Sequence, residues 1–487
     1  MSRIDQLTSW HDDWTELKVA VIGLGVTGFS VADTLAELGS NVEVFAETAD
    51  AEHLDILDVL GVRHTTGEAA KALPAALVEF APELIVTSPG VKPNSPIIVW
   101  AGENRIPVWV DIDLAWRLRD KTERIADWFC VTGTNGKTTT VQLATNMLQA
   151  AGLRAASCGN IGVPILDCIR DPEGFDALVV ELSSFQLHYL GEIKPYASAL
   201  LNIDHDHIDW HGSFESYRSA KGKIYENTQV ACVYNVGDLA TEKLVEEADV
   251  VEGARAIGFT VGSPSVSQIG YAGDILCDRA FIEQRRTEAQ ELATIEDINE
   301  IGVLTPHLMA NIAAASALVR SLGISAEAVR EGIRTFKLDR HRIEVVLDRD
   351  GIMWIDDSKA TNPHAAAASL ASFESIVWVV GGLLKGVDIE PLVAKFASRL
   401  RGAVVIGAER EAVMTALQSA APSVPVIEIS PEDASEVMPK AANAALALAQ
   451  SGDTILLAPA AASMDQFKDY ADRGNKFAAA ARATGEK

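Results

Sequence analysis

The feature that most constrains the fold is a glycine-rich segment, residues 133–139, which directly follows an apolar strand pattern at 129–132 and directly precedes a helix pattern. Its glycines let the backbone turn tightly and point N–H groups inward, and a helix N-terminus adds a favourable potential for phosphate. Its lysine is placed to reach the β- and γ-phosphates, and the next hydroxyl to bind Mg²⁺. The segment is shorter than the standard phosphate loop, yet it predicts an ATP site. The residues of this predicted site are Gly133, Thr134, Asn135, Gly136, Lys137, Thr138 and Thr139.

Two more strand–turn–helix starts flank this segment. Apolar strands at 19–22 and 42–45 enclose a Gly-x-Gly-x-x-Gly turn, and a third series of strands starts near Asp339. Alternating strands and helices are typical of parallel sheets, and a chain this long exceeds a single core. We therefore predict an α/β protein of three domains, each a mainly parallel sheet flanked by helices. They are a Rossmann-like N-terminal domain (1–118), a central P-loop ATPase-like domain (119–338) and a Rossmann-like C-terminal domain (339–487).

Three further stretches have patterns that predict local secondary structure. Residues 253–302 look irregular or β-like, and an alanine-rich pattern predicts a helix over Asn311–Leu322. The segment after Ala458 predicts a helix with Ser463 near its N-cap. Such a helix end can hold a carboxylate.

The composition excludes several classes of partner. The net charge of -27 repels nucleic acid and anionic lipid at long range. No apolar run reaches the roughly 18 residues that span a bilayer. The N-terminus is polar and acidic, so it does not resemble a signal peptide. Five scattered cysteines indicate neither a disulfide framework nor a zinc site. We expect a cytoplasmic protein without nucleic-acid or membrane partners.

Polar residues follow two further strand patterns of the central segment. Glu181 ends a buried strand, where a carboxylate suits Mg²⁺ beside a phosphate loop. Residues 202–212 hold three imidazoles and three carboxylates, but their spacing does not match a helical zinc pair. A single histidine assisting Mg²⁺, or a polar active-site loop, is expected there. Lys221 lies on a predicted helix, where a lysine is ordinarily a solvated surface residue.

The remaining motifs are weak when taken singly. The Gly-x-Gly-x-x-Gly turn says only that a nucleotide or phosphate approaches a helix N-terminus. In the third segment, Arg342 has the chemistry to bind phosphate bidentately, and Lys359 with Asp357 forms a plausible substrate-facing turn. Each of these is more often a surface salt bridge than part of a site.

Together and in order, these pieces resemble the Mur ligases over nearly the whole chain. The phosphate loop alone would indicate only the wider family, which includes folylpolyglutamate synthases. ELSSFQL and the ASMDQF…RG..F pattern resemble the branch that adds D-glutamate. The segments that carry the resemblance are GLGVTG, TSPG, VTGTNGKTTT, GNIG, ELSSFQL, DHDHIDWHGSFESYRSAKGKIYEN, HR, DDSKATNP and APAAASMDQFKDYADRGNKF.

The resemblance implies an enzyme that uses ATP and Mg²⁺ to join D-glutamate to UDP-N-acetylmuramoyl-L-alanine. The three domains would bind the UDP end, ATP and the amino acid in turn, and a monomer is expected. It implies catalytic roles for Lys137, His207 and Lys221. The implied metal ligands are Thr138, Glu181, His207 and, if carbamylated, Lys221. The implied ATP contacts beyond the loop are Asn311, Arg342 and Asp357. The implied UDP-substrate contacts are Val26, Thr27, Ser88, Gly90, Asn160 and Ser183. The implied D-glutamate contacts are Lys359, Thr361, Lys385, Ser463 and Phe467.

Two details qualify the resemblance. The family often has asparagine where this chain has Leu308, so adenine binding would rest on Asn311 and apolar contacts. For Lys221, the nearby cations Arg218 and Lys223 are expected to lower its pKa, which favours reaction of the amine with CO₂.

Three alternatives remain open at this point. A folate-polyglutamylating ligase would use the same chemistry, but as a family it lacks the N-terminal glycine-turn domain. An ATP-gated binding protein would not need Glu181, His207 and Lys221 together. A nicotinamide dehydrogenase would leave the second nucleotide loop unexplained.

Overall fold

The structure, a computed structural model, describes residues 3–299, 301–430 and 435–484. Three sheets follow one another along the chain, each mainly parallel and accompanied by helices, as predicted. The chain forms two compact units, one of residues 1–295 with 310–335 and one of residues 296–309 with 336–487. The first unit contains two of the sheets and the second unit contains the third. The domain limits at 118 and 338 stay predictions.

The first sheet and its helices are formed by α1 (Arg3–Gln6), β1 (Lys18–Leu24), α2 (Val26–Glu37), β2 (Asn41–Ala49), α3 (Ala51–Leu60), β3 (Arg63–Thr66), a 3₁₀ turn (Gly67–Ala70), α4 (Ala75–Phe80), β4 (Leu84–Thr87), α5 (Pro96–Glu103), β5 (Val108–Trp109) and α6 (Asp111–Leu118). Its five strands are parallel in the order β3-β2-β1-β4-β5. The middle strand β1 is almost wholly buried, as its continuous apolar run predicts for a parallel sheet. The glycine turn follows it and leads into α2.

The second sheet and the elements after it are β6 (Asp127–Thr132), α7 (Lys137–Ala150), β7 (Ala155–Gly159), α8 (Ile165–Arg170), β8 (Ala177–Glu181), α9 (Ser184–Tyr189), β9 (Ala197–Leu200), α10 (Ile208–His211), α11 (Phe214–Gly222), a 3₁₀ turn (Lys223–Tyr225), β10 (Ala231–Asn235), α12 (Leu239–Glu246), β11 (Arg255–Phe259), β12 (Gln268–Ala272), β13 (Ile275–Asp278), β14 (Gln290–Thr294), α13 (Ile295–Asn299), α14 (Pro306–Arg320) and α15 (Ala326–Arg334). The strand order is β14-β13-β12-β11-β10-β9-β6-β8-β7. Strand β6 pairs in parallel with β8 and β9, so the carboxyl ends of all three meet at one edge.

The third sheet lies in the second unit and comprises β15 (Glu344–Arg349), β16 (Ile352–Asp356), α16 (Pro363–Ala371), β17 (Ile376–Val380), α17 (Glu390–Phe396), a 3₁₀ turn (Ala397–Arg399), β18 (Leu400–Val405), α18 (Arg410–Ala420), β19 (Val426–Glu428), α19 (Val437–Leu448), β20 (Thr454–Leu457) and α20 (Tyr470–Ala483). The strand order is β15-β16-β20-β17-β18-β19, with β15 antiparallel to its neighbour. Strand β17 is buried along its whole length, as its apolar sequence predicts.

Three local expectations are refined. The region 253–302 contains β11 to β14, so its β-like interpretation is confirmed where the chain is described; Glu300 lies outside the described residues. Helix α14 begins at Pro306 rather than Asn311, because the Thr305 hydroxyl accepts a hydrogen bond from the Leu308 N–H at 3.1 Å. Across the described parts of the chain, every helix is too short or too polar to cross a membrane.

Candidate active site

The glycine-rich loop lies between β6 and the 14-residue helix α7, as predicted. Gly136 has φ +85°, and a Cβ there would lie 2.4 Å from Oδ1 of Asn311. A Cβ on Gly133 would approach the Leu201 Cβ to 2.9 Å. Only glycine fits both positions, so the loop can turn tightly into the N-terminus of α7. This is the geometry that binds phosphate.

Side chains from neighbouring loops hold the glycine-rich loop in place. Asn202 accepts a hydrogen bond from the Asn135 N–H at 2.8 Å and donates one to its carbonyl at 3.0 Å. The Thr134 hydroxyl lies 2.8 Å from the buried Tyr217 hydroxyl. Lys137 folds back over the loop, where its Nζ donates to the Gly133 carbonyl at 2.8 Å. The sequence interpretation missed Asn202 and Tyr217. Their only signals are the place of Asn202 at the start of segment 202–212 and that of Tyr217 in DHDHIDWHGSFESYRSAKGKIYEN.

A buried carboxylate lies beside the loop, at the carboxyl end of β8. Glu181 is 2% exposed, and its oxygens accept hydrogen bonds from the Thr138 hydroxyl and from the Asn160 amide, both at 3.0 Å. A buried carboxylate facing neutral donors gains from a nearby cation. Carboxylate and hydroxyl oxygens are also the ligands that Mg²⁺ prefers. Thr138 and Glu181 therefore fit a Mg²⁺ ion at the phosphate loop.

Lys221 is not the surface cation that its local sequence suggests. The side chain is 2% exposed, and its Nζ donates to the Gly133 carbonyl at 2.9 Å and to the Thr132 hydroxyl at 3.2 Å. Burial, assisted by the positive charge of Lys137, holds the pKa of Lys221 well below its usual range. The amine therefore lies against the phosphate loop, in surroundings that favour its neutral form.

The cause proposed from sequence for this lowered pKa was wrong. Arg218 lies 3.2 Å from the Glu215 carboxylate, and the Nζ of Lys223 donates to the His188 carbonyl at 2.9 Å. Neither cation contributes to the lowered pKa of Lys221, whose main cause is burial.

His207 lies near enough to Lys137 and Lys221 for their charges to affect its pKa. It precedes α10 in a left-handed conformation with φ +52°, and its ring lies 4.7 Å from the Phe185 ring. Burial first, and then the charges of Lys137 and Lys221, lower its pKa. A neutral imidazole is the form that binds a metal. The structure thus brings the three predicted catalytic residues together around the phosphate loop.

The predicted UDP-substrate residues fall into two groups within the first unit. Val26 and Thr27 begin α2, and the Ser88 hydroxyl lies beside the glycine turn, where a Cβ on Gly23 would lie 2.3 Å from Oγ. Asn160 and Ser183 follow the carboxyl ends of β7 and β8 in the second sheet. The Ser183 hydroxyl accepts a hydrogen bond from the Gln186 N–H at 3.2 Å and caps α9, so it has a structural task as well.

The second unit carries the other predicted nucleotide contacts. Asp357 is buried, and burial raises the pKa of its carboxyl to about 7. The carboxylate accepts hydrogen bonds from the Ser369 hydroxyl and from the Ile343 N–H. The positive charge of Arg342 lowers the pKa of Asp357 and so opposes part of the effect of burial. The buried Nε of Arg342 has no hydrogen-bond partner among the residues that the structure describes. An unpartnered buried guanidinium N–H is suited to an anionic ligand.

Most predicted D-glutamate residues lie at the carboxyl edge of the third sheet. Lys359 is 3.4 Å from the Asp339 carboxylate, and the N–H of exposed Thr361 donates to the Lys359 carbonyl. Lys385 is exposed, with φ +55°. Ser463 and Phe467 are 4% and 7% exposed.

The predicted helix start at Ser463 was wrong. That segment is a loop, and α20 begins at Tyr470, where Asp469 accepts a hydrogen bond from the Asp472 N–H at 2.7 Å. A carboxylate is a strong N-cap, so the helix starts there rather than earlier.

A buried arginine that the sequence interpretation did not single out joins the two D-glutamate segments. Arg473 on α20 is fully buried. Its guanidinium donates to the Ser358 carbonyl at 2.8 Å, to the Ser358 hydroxyl at 2.9 Å and to the Ala461 carbonyl at 3.0 Å. It therefore fixes the loop of Lys359 against the loop of Ser463. Its only sequence signal is its place in the ASMDQF…RG..F pattern.

The next residue, Gly474, packs against a buried, hydrogen-bonded histidine–carboxylate pair. His341 Nδ1 lies 2.6 Å from the Asp356 carboxylate, and a Cβ on Gly474 would lie 2.3 Å from Nδ1 and 2.5 Å from Oδ2. We expect Gly474→Ala to lower the free energy of unfolding by about 1–3 kcal/mol, because α20 must shift away from this pair. Thermal or urea unfolding measures the change.

The matched control for this prediction is Gly102→Ala on helix α5. A Cβ at Gly102 would have no neighbour within 4 Å, so alanine is tolerated there. We expect this variant to be as stable as the parent or slightly more so. Equal stability of the two alanine variants would contradict the close packing at Gly474.

Family models match three consecutive parts of the chain. A model described as "Mur ligase MurD-like, N-terminal domain" matches residues 17–110. A model described as "Mur ligase middle domain" matches residues 131–319. A third, "Mur ligase, glutamate ligase domain", matches residues 341–461.

Close relatives cover almost the full length. The UDP-N-acetylmuramoylalanine--D-glutamate ligase of Leifsonia xyli subsp. xyli is 58% identical, over 98% of this chain and 95% of the relative. The protein of the same name from Streptomyces avermitilis is 50% identical, over 97% of this chain and 99% of the relative.

Solved structures of more distant proteins share the fold. UDP-N-acetylmuramate-alanine ligase from Thermotoga maritima superposes with a TM-score of 0.56 at 20% identity, covering 96% of this chain and 99% of that one. The MurF ligase of Thermotoga maritima, solved in complex with ADP, gives 0.54 at 17% identity, covering 99% of this chain and 98% of that one.

Proposed function

This chain belongs to the Mur ligase family, and on that premise we propose that it joins D-glutamate to UDP-N-acetylmuramoyl-L-alanine at the expense of ATP. One observation carries the proposal. A phosphate loop stands beside a buried carboxylate, Glu181, and a buried lysine, Lys221, in a chain whose near-full-length relatives are named D-glutamate ligases. The product would be a precursor of peptidoglycan.

The reaction needs an activated acyl group, because a carboxylate does not react with an amine at neutral pH. The L-alanine carboxylate takes the γ-phosphoryl group of ATP, and ADP leaves. The amine of D-glutamate then attacks the carbonyl carbon of this acyl phosphate. The tetrahedral intermediate collapses as phosphate departs and the amine loses its proton, which leaves an amide.

The residues around the loop have separate tasks in the first step. The backbone N–H groups of the loop and Lys137 bind the phosphates and offset charge in the loose transition state. Thr138 and Glu181 would hold Mg²⁺, which would offset the negative charge of the phosphates. His207 would offer an imidazole nitrogen as a ligand. Lys221 would offer a carbamate oxygen, formed when its neutral amine adds CO₂ and releases a proton to solvent.

The other predicted residues bind the substrates in this proposal. The UDP-sugar contacts Val26, Thr27, Ser88, Gly90, Asn160 and Ser183. D-glutamate contacts Lys359, Thr361, Lys385, Ser463 and Phe467. The nucleotide contacts Asn311, Arg342 and Asp357 as well as the loop, and the Leu308 side chain is buried and apolar. We also propose that the enzyme acts as a monomer in the cytoplasm.

Phosphate release with defined substrates tests the proposed function. We expect ATP-dependent phosphate release only when UDP-N-acetylmuramoyl-L-alanine and D-glutamate are both present, with a stoichiometric amide product detected by mass spectrometry. A folate-polyglutamylating ligase would instead respond to a folate and L-glutamate. A binding protein or a nicotinamide dehydrogenase would release no phosphate with either pair, and that result would contradict the proposal.

A further inference from the structure

The loop after β4, residues 88–92, forms part of the proposed UDP-sugar site. The Ser88 N–H donates to the Ile22 carbonyl at 2.8 Å, and the Ser88 hydroxyl lies against the glycine turn. Gly90 belongs to the same loop. The loop therefore takes its position from the sheet that carries the glycine turn, and its outer residues face the second sheet.

Two aromatic side chains of the second sheet's helices hold this loop from the other side. The indole Nε1 of Trp210 donates to the Gly90 carbonyl at 3.1 Å. The hydroxyl of Tyr189 donates to the Val91 carbonyl at 2.7 Å. The two rings also contact each other, with centroids 6.0 Å apart. Two successive carbonyls of loop 88–92 thus accept hydrogen bonds from two aromatic side chains that contact each other.

One member of this pair, Trp210, also supports His207. Trp210 lies in α10, a single turn whose first backbone hydrogen bond runs from the Trp210 N–H to the His207 carbonyl at 3.1 Å. The Phe185 ring lies 4.7 Å from both the Trp210 ring and the His207 ring. Trp210 is only 8% exposed, so a shift of its ring must also move its neighbours.

We propose that Trp210 and Tyr189 are positioning residues that couple occupancy of the UDP-sugar site to the placement of His207 at the Mg²⁺ site. This inference rests on the proposed function. Binding of the UDP-sugar to loop 88–92 acts on α10 and its histidine through the hydrogen bond from Trp210 to the Gly90 carbonyl. Tyr189 on α9 holds the neighbouring Val91 carbonyl and contacts the Trp210 ring. Because coupling between two sites is reciprocal, Mg²⁺ must in turn tighten binding of the UDP-sugar.

The test measures binding rather than turnover. Calorimetry gives the Kd of UDP-N-acetylmuramoyl-L-alanine with a non-hydrolysable ATP analogue, with and without Mg²⁺, for the parent, Trp210→Phe and Tyr189→Phe. Each variant keeps an aromatic ring and loses one donor. We expect Mg²⁺ to lower the Kd of the parent, and each variant to bind about 3- to 10-fold more weakly at saturating Mg²⁺. The effect of Mg²⁺ should shrink in both variants.

Trp128→Phe is the matched control. Trp128 is 1% exposed and its Nε1 has no hydrogen-bond partner among the described residues, so this variant loses ring volume without losing a hydrogen bond. It should keep the parent's Mg²⁺ effect, and thermal unfolding checks that all variants are folded. If both variants retain the parent's Kd, or bind more weakly with an unchanged Mg²⁺ effect, the coupling is wrong. If the parent itself does not bind the UDP-sugar, the proposed function is wrong too.

Discussion

Replacing Lys137 with alanine is expected to lower substrate-dependent phosphate release by about 10²- to 10³-fold. The Lys137 ammonium sits over the loop at the start of α7, with its Nζ 2.8 Å from the Gly133 carbonyl. Lys137 is the positively charged side chain of the loop that interacts with the β- and γ-phosphates. Its stabilising effect is largest in the transition state. The loss is measured as phosphate released with both substrates present.

The fold should survive this substitution. Lys137 is only partly buried, and its hydrogen bonds to Gly133 and Thr134 are each worth about 1 kcal/mol. We therefore expect a cooperative thermal transition that lies close to that of the parent. A folded Lys137→Ala variant with more than half of the parent's phosphate release would show that the loop assignment is wrong.

Replacing Lys221 with alanine is expected to lower activity by at least about 100-fold at saturating ATP and Mg²⁺. Burial, assisted by the charge of Lys137, holds the pKa of the Lys221 amine well below its usual range, which favours the neutral form that reacts with CO₂. The resulting carbamate is an anionic oxygen ligand at the end of a lysine side chain. Added formate or acetate should restore part of the activity by occupying the space that the side chain leaves.

A spectroscopic measurement separates the carbamate from a purely structural role. Parent protein incubated with ¹³C-labelled bicarbonate should show a carbamate resonance that Lys221→Ala lacks. Lys194→Ala is the control, because Lys194 is 56% exposed and lies 3.9 Å from Glu192. We expect Lys194→Ala to keep both the resonance and the activity. Full activity of Lys221→Ala would refute the proposed role.

The sequence predicted those parts of the site that depend on neighbours along the chain or on strand order. The loop 133–139 lies between β6 and α7 as its glycines and the flanking patterns require. Glu181 was placed beside it by one general rule, that parallel strands bring their carboxyl ends to the same edge. Strands β6 and β8 are indeed direct neighbours in the sheet.

Burial of charged side chains was beyond the reach of the sequence. Helix α11 is polar, and which of its faces packs inward is decided by contacts with distant segments. The buried Nζ of Lys221 donates a hydrogen bond to the Thr132 hydroxyl, which is 89 residues away in the sequence. The buried guanidinium of Arg473 likewise donates a hydrogen bond to the Ser358 hydroxyl, 115 residues away in the sequence. Local patterns cannot reveal such partners, and they misled at Ser463 because a stronger cap, Asp469, lies six residues further on.

The place of Arg473 in the chain sets the order in which the amino-acid pocket is assembled during synthesis. Its guanidinium binds Ser358 and Ala461, which precede it in the chain by 115 and 12 residues. Until α20 has emerged and docked, the two loops that carry the proposed D-glutamate residues lack their common anchor. A nascent chain interrupted before residue 473 would therefore carry a complete phosphate loop and an unfinished acceptor pocket, a product that holds nucleotide without making peptide bonds.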